Sequence, residues 1–193
     1  MNRKALQNYM SSILPMPIDK ATFFADQFEL IEITKGELLL TEGKITKDTF
    51  ILENGYVRSY TFNQLGQEVT TNLFSGPCFV NDFLSFFKQQ PTTENYQCLT
   101  QCTLWRMSFE KVQTYFHTYP EFREFGRMML VTNYSNLHDR MLGLIKDTAE
   151  NRYLKLLKLH PNLIQHVPLK MIASFLGITD TSLSRIRKEI TKK

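Results

Sequence analysis

Five residue–glycine pairs, Lys35-Gly36, Glu42-Gly43, Asn54-Gly55, Leu65-Gly66 and Ser75-Gly76, punctuate the stretch from Glu29 to Ser108 at intervals of 7 to 12 residues. Most of what lies between them keeps no helical period. Short segments separated by turn signals at that rhythm fold as the strands of an all-β sandwich or barrel, because each turn returns the chain before a helix can nucleate. Asn54-Gly55 is the sharpest of the five. It joins Thr49–Glu53 to Tyr56–Phe62, and Asn-Gly supplies the two positive-φ positions of a tight turn, so the sequence predicts a hairpin there.

The flanks read differently. A helix is expected over Arg3–Leu14, broken by Pro15 and Pro17, and another over Phe109–Phe116, ending near Pro120. A short helix over Phe83–Phe87 interrupts the strands, with Asn81 or Asp82 placed to cap it. A long helix follows from about Glu121 to Asp147, then one over Glu150–Leu159 that Pro161 terminates. Within the long helix Leu130, Tyr134, Leu137, Met141 and Leu144 are separated by 4, 3, 4 and 3 residues, a heptad seam, while Phe122, Phe125 and Met129 form a second apolar patch. A helix that needs one face for its own domain and another for something else implies a two-fold partner.

The run from Leu169 to Ile190 has the pattern of a helix-turn-helix. Two helices that cross closely need a small residue inside the first and a residue tolerant of positive φ at the turn, and Ala173 and Gly177 have that spacing. Thr179 is placed to cap the second helix. Projection at 100° per residue puts Leu183, Ile186 and Ile190 on one stripe and Thr181, Ser184, Arg185 and Lys188 opposite, with Arg187 and Ser182 on the flanks. Short hydroxyls and long cations on an outward face suit base edges and phosphates in a major groove. Thr179, Asp180, Thr181, Ser182, Ser184, Arg185, Arg187 and Lys188 are therefore the candidate DNA-contacting residues.

Charge supports that division. Residues 146–193 carry ten Lys/Arg and four Asp/Glu, a net of +6, whereas residues 1–145 hold 13 cations and 15 acids, a net of −2. A basic terminal module on a slightly acidic body is the electrostatic footprint of a phosphate-docking domain. No apolar run has membrane-spanning length and the first ten residues lack the apolar stretch of a signal peptide, so a cytoplasmic protein without membrane contact is expected. Three cysteines, Cys78, Cys98 and Cys102, are too few for a disulfide framework and are not at a zinc-ribbon spacing; they are expected to be buried thiols.

Lys35-Gly-Glu37, Glu42-Gly43, Phe50–Tyr60, Gly66-Gln-Glu68, Gly76-Pro-Cys-Phe79 and Ile172-Ala-Ser-Phe-Leu-Gly-Ile-Thr179, in this order over nearly the whole chain, resemble the Crp/Fnr superfamily of bacterial transcription regulators. The resemblance implies an α+β protein: an N-terminal double-stranded β-helix, or jelly roll, as effector domain (1–118), a dimerisation helix (119–147) with Leu130, Tyr134, Leu137, Met141 and Leu144 at the interface, and a C-terminal helix-turn-helix domain (148–193). It implies a homodimer that reads a palindromic operator and works with RNA polymerase. Members that bind cyclic nucleotides carry a phosphate cassette, Phe-x-Gly-Glu followed by Arg-Ser/Thr-Ala. Aligned without gaps, its glycine falls on Asn81, its Glu on Asp82 and its Arg-Ser-Ala on Thr92-Thr93-Glu94. The cation is missing and an acid stands near the phosphate position, which removes a charge-assisted pair worth about 1.5 to 3 kcal/mol. Phe79, Val80, Asn81, Asp82, Phe83, Thr92 and Thr93 thus outline a degenerate effector pocket for which no cyclic-AMP response is expected.

The family's other sensors fail as well. Iron–sulfur sensing takes four thiolates, and His117, His138, His160 and His166 all lie outside the expected strands, so neither a cluster nor a haem is implied. The second helix opens Asp180-Thr181 in place of the usual Arg-Glu, while Arg185 matches the base-reading arginine, so a different operator is expected. The chain ends at Lys193, before the strands that form a wing in longer members. No catalytic set, metal site or cofactor is expected: a metal-dependent jelly-roll enzyme needs histidines inside the barrel, and Glu29–Ser108 contains none. The alternative is a jelly-roll small-molecule-binding or protein-interaction module without DNA binding. The effector is unknown or absent.

Overall fold

The computed structural model describes residues 3–192; Met1, Asn2 and Lys193, where the first and last expected units begin and end, lie outside them. Helices α1 (Lys4–Ile13) and α2 (Ile18–Ala25) precede β1 (Glu29–Ile33), β2 (Leu38–Leu40), β3 (Asp48–Asn54), β4 (Tyr56–Phe62), β5 (Glu68–Ser75) and β6 (Cys78–Val80). Helix α3 (Phe83–Lys88) separates β6 from β7 (Asn95–Cys98) and β8 (Cys102–Ser108). Then come α4 (Phe109–Thr118), α5 (Pro120–Lys146), α6 (Ala149–Leu159), α7 (Leu163–His166), α8 (Leu169–Phe175) and α9 (Asp180–Lys192). The chain is α+β, as the sequence implies. Helix α2 is an addition, its start set by Pro17 and its buried face by Ala21, Phe24 and Ala25.

The strands form two antiparallel four-stranded sheets in the orders β1-β8-β3-β6 and β2-β7-β4-β5. Side chains alternate across a strand. On β3, Phe50 and Leu52 enter the core between the sheets while Ile51 faces the helices; on β8, Cys102 and Leu104 enter it while Trp105 and Met107 face the helices. The first sheet is therefore buried on both faces. Its outer face meets α1, α2, α4 and the start of α5 through Leu6, Met10, Phe24, Val112, Phe122, Phe125 and Met129. The second apolar patch expected on the long helix is this contact.

The expected hairpin at Asn54-Gly55 is not formed. β3 pairs with β6 and β8, whereas β4 pairs with β5 and β7, so the turn carries the chain from one sheet to the other. Of the two residues only Gly55 has positive φ, at 110°. The glycine is fixed by crowding as well as by conformation: a Cβ there would lie 2.7 Å from Cys102 Sγ and 2.8 Å from the Gln101 carbonyl oxygen. A third core holds the C-terminal helices together, with Tyr153, Leu156, Leu163, Val167, Ile172, Ala173, Leu176 and Leu183 buried beside Leu73 and Leu99 of the sandwich.

Replacing Gly55 with alanine combines a positive-φ penalty with overpacking against backbone. Urea unfolding should show a loss of about 2 kcal/mol or more at an unchanged m-value. A loss below about 0.5 kcal/mol would mean that the turn relaxes freely.

Candidate functional site

Helices α8 and α9 are joined at Gly177, whose φ is +69°. The Ile178 N–H donates to the Ala173 carbonyl oxygen at 3.0 Å and the Gly177 N–H to that of Ser174 at 3.0 Å, which closes the end of α8. Ala173 is fully buried where the two helices meet. Thr179 caps α9: its Oγ1 accepts from the Ser182 N–H at 3.2 Å and lies 2.9 Å from the hydroxyls of Thr181 and Ser182. Leu183 is fully buried and Ile186 and Ile190 pack beside it. Asp180, Thr181, Ser184, Arg185 and Lys188 are exposed and together line a shallow hollow. Arg187 differs from its neighbours. It is half-buried; burial pushes the pKa of the Tyr153 hydroxyl on α6 up, and the charge of Arg187 opposes the shift.

Two further arginines, which no sequence pattern singles out, brace this unit. Arg140 of α5 donates to the Phe175 carbonyl oxygen at 3.3 Å, with its guanidinium 4.4 Å from the Phe175 ring centre. Arg152 of α6 donates to the Leu176 carbonyl oxygen at 3.1 Å and to that of Asp147 at 2.8 Å. The last carbonyls of a helix have no intrahelical partner, and these cations meet them at the negative end of its dipole. The unit also touches the sandwich. The Thr70 N–H of β5 donates to Ser174 Oγ at 2.9 Å, and Tyr56 stacks on His166 at 4.9 Å between ring centres.

On α5, Leu130, Tyr134, Leu137, Met141 and Leu144 are all exposed, from 38% for Leu130 to 68% for Tyr134. Val131 and Ile145 extend the same uncovered apolar surface. Leu144 has a second contact, its Cδ2 lying 3.3 Å from where a Cβ on Gly177 would stand.

The seven residues of the expected effector pocket divide into groups. Asp82 and Thr92 meet: Asp82 Oδ2 accepts from Thr92 Oγ1 at 2.5 Å, while Oδ1 accepts from the Ser85 N–H at 3.0 Å and so caps α3. Thr92 is 3% exposed, and its Oγ1 also accepts from the Glu94 N–H at 3.1 Å. Glu94 Oε2 accepts from Tyr96 Oη at 3.3 Å. Burial and the neighbouring Glu94 and Asp82 carboxylates hold the Tyr96 hydroxyl well above its usual range. Burial pushes the pKa of Arg140 down and the field of Glu94 pushes it up. Val80 turns into the core between the sheets and Thr93 is on the surface. Phe79 stacks on Phe83 at 5.6 Å, and with Asn81 they line a separate apolar pocket beneath α3. Asn81 donates to Thr49 Oγ1 at 3.2 Å.

Residues 30–119 match the family model of the cyclic nucleotide-binding domain. Three solved structures share the fold of the larger part of the chain. CLP, the c-di-GMP-responsive global regulator of Xanthomonas campestris, superposes with a TM-score of 0.70 at 17% identity, over 91% of this chain and 92% of its own. FixK2 from Bradyrhizobium japonicum gives 0.73 at 16% identity over 86% and 85% of the two chains. A chain from Eubacterium rectale described as a transcriptional regulator of the Crp/Fnr family gives 0.68 at 14% identity over 93% and 88%. No curated protein matches the sequence. Residues 30–119 thus match the cyclic nucleotide-binding domain, and over the larger part of the chain, long helix included, the fold is that of these three proteins.

The Asp82–Thr92 bond has a charged acceptor and a buried donor, which makes it one of the stronger kind. A double-mutant cycle of Asp82→Ala and Thr92→Val in urea should give a coupling of about 1.5 to 3 kcal/mol. Additive losses would show that Thr92 is held by its backbone contacts alone.

Proposed function

We propose that the protein is a dimeric, sequence-specific DNA-binding transcription regulator of the Crp/Fnr type, and that its nucleotide-binding domain does not respond to cyclic AMP. The observation that carries this reading is the face of α9: Thr181, Ser184, Arg185 and Lys188 are exposed together while Leu183, directly behind them, is fully buried. α8, the Gly177 turn and α9 then act as a helix-turn-helix, and α9 enters a major groove, where a guanidinium can fork onto guanine O6 and N7. The net charge of +6 over residues 146–193 favours docking on phosphate. Arg187, half-buried, is less free to reach DNA than Arg185 and Lys188.

The strand orders 1-8-3-6 and 2-7-4-5 support a jelly-roll reading of the effector domain. The uncovered apolar stripe on α5 supports dimerisation there, because a monomer would leave Tyr134, Leu137 and Met141 in water. The units 1–118, 119–147 and 148–193 then serve as effector domain, dimer helix and DNA reader, in a cytoplasmic protein that pairs with RNA polymerase on a palindromic operator and catalyses no reaction. A cyclic phosphate brought to this domain meets Asp82 bonded to Thr92 and the carboxylate of Glu94, with no arginine at Thr92 to pair with it.

Selection from random duplexes tests the reading without knowledge of the genes. It should recover a palindrome with half-sites about 10 bp apart. Arg185→Ala should cost about 1 to 3 kcal/mol on that site and relax the preference at one base pair per half-site, whereas Lys188→Ala should weaken all sequences alike and make the salt slope shallower by about one. If no palindrome emerges and Arg185→Ala binds as the wild type does, the protein is an interaction module rather than a DNA reader. Sedimentation should give a dimer that charged residues at both Leu137 and Met141 convert to monomer. Calorimetry with cyclic AMP or cyclic GMP should detect no binding, and a low-micromolar affinity for either would show that the phosphate is held by groups other than those at Asp82 and Thr92.

A further inference from the structure

Helix α3 lies over the outer face of the first sheet, where α4 and α5 also pack, and the pocket beneath it has a free volume of about 30 Å³. Eight phenylalanines line it, among them Phe83 and Phe87 of α3 and Phe116 of α4, together with two polar residues, Asn81 and Thr49. Asn81 is 8% exposed. Its amide nitrogen donates to Thr49 Oγ1 at 3.2 Å, but its amide oxygen is buried with no hydrogen-bond partner among the described residues. A buried acceptor left unmet costs the whole of its desolvation, which a donor on a bound molecule offsets. We propose that the pocket is a binding site for a small, uncharged aromatic alcohol of the phenol class, its hydroxyl on Asn81 and its ring among the phenylalanines.

The lining selects this chemistry. It contains no charged residue, so a carboxylate or a phosphate would be buried there without a counter-charge. A water usually makes about three bonds in such a place and would find two polar residues here. An apolar body with one polar end fits better. The phenol O–H donates to Asn81 Oδ1, and the phenol oxygen accepts from the Thr49 hydroxyl, which as acceptor for Asn81 has its own hydrogen to give. A hydroxyl, being both donor and acceptor, also serves the opposite orientation of the amide. The ring meets phenyl edges and faces, a contact that adds to burial. As it stands the free volume holds about one or two waters, so the ring enters as Phe87 turns outward. That side chain, near the end of α3, is 37% exposed, and its ring centre lies 6.4 Å from Phe83 and 6.0 Å from Phe116, toward the far end of the range for aromatic contact. Leu130, also partly exposed, stands at the α5 side of the pocket.

Gly126 of α5 keeps the pocket open. A Cβ there would stand against Phe116 Cζ and 2.7 Å from its Cε1, and the free volume is the slack into which the displaced ring would swing. The site is separate from the Asp82–Thr92 pair but adjoins it through one residue. The Asn81 backbone carbonyl accepts from Tyr96 Oη at 3.4 Å, Tyr96 in turn bonds Glu94, and Asn81 directly precedes Asp82, the cap of α3.

Calorimetry and methyl NMR with phenol on the full-length, folded chain test this without reference to DNA. Phenol should bind once per chain with sub-millimolar affinity and shift the methyl resonance of Met129, whose side chain lines the pocket. Anisole, which keeps the ring and loses the donor, should bind at least about tenfold more weakly, and benzoate should not bind. Asn81→Leu should reverse the order of phenol and anisole. Gly126→Ala should abolish binding of both while circular dichroism shows the wild-type fold. Should that variant not fold, Phe87→Ala, which widens the opening, should admit naphthol, which the wild type excludes. Absence of phenol binding, equal affinity for phenol and anisole, or binding that leaves the Met129 methyl unmoved would overturn the site. So would a crystal grown in phenol that shows only a water beside Asn81.

Discussion

One sheet with no solvent face governs how this chain can be arranged. Because β3 and β8 send Phe50, Leu52 and Leu104 inward and Ile51, Trp105 and Met107 outward, both faces of β1-β8-β3-β6 need cover. The second sheet supplies one cover. The other must come from helices at both ends of the domain, which is why α1 and α2, before the strands, pack beside α4 and α5, after them. At about 25 cal/mol per Å² of apolar area, a bare outer face would cost more than a domain of this size can spare. The long helix therefore has a fixed root, and only its second half is available to anything else.

The C-terminal unit is attached to this body by polar contacts made to backbone. Arg140 and Arg152 meet the carbonyls at the end of α8, Ser174 meets the N–H of Thr70, and Leu73 and Leu99 insert from the sandwich side. These contacts come from the long helix, from α6, and from the sandwich through β5 and the loop after β7. A change in any one of the three surroundings thus reaches the Gly177 turn, and through it the direction of α9.

Elements bounded by their own residues were legible in the sequence. Proline and capping residues mark α1, α4, α5 and α6 to within a few positions, and the apolar stripe of α9 follows from its spacing alone. Strand partners were not. Asn54-Gly55 reports that the chain turns, but which strand lies beside β3 is decided by the core on either face, a long-range matter that local turn chemistry does not encode. Helix α2 was missed because its apolar residues follow directly on two prolines and span barely two turns. In the candidate site, the capping role of Asp82 was readable from its place before Phe83; its bond to Thr92 was not, and only the alignment of two distant segments put both residues at one site. Arg140 and Arg152 carried no sequence signal, because their acceptors are backbone carbonyls 24 to 35 residues away.

Helix α5 runs 27 residues without interruption, about 40 Å at 1.5 Å per residue, from the aromatic cluster at Phe122 and Phe125 to the contact of Leu144 with Gly177. A rod of that length is a lever with unequal arms. Its short arm is clamped among phenyl rings, and its long arm carries the turn that aims α9. A tilt of about 5° at the clamp, a displacement of a few tenths of an ångström for each ring, moves Leu144, about 30 Å away, by nearly 3 Å, close to the rise of one DNA base-pair step. The accuracy with which α9 can be positioned is thus set at the other end of the molecule, by how tightly a handful of aromatic side chains fill their space.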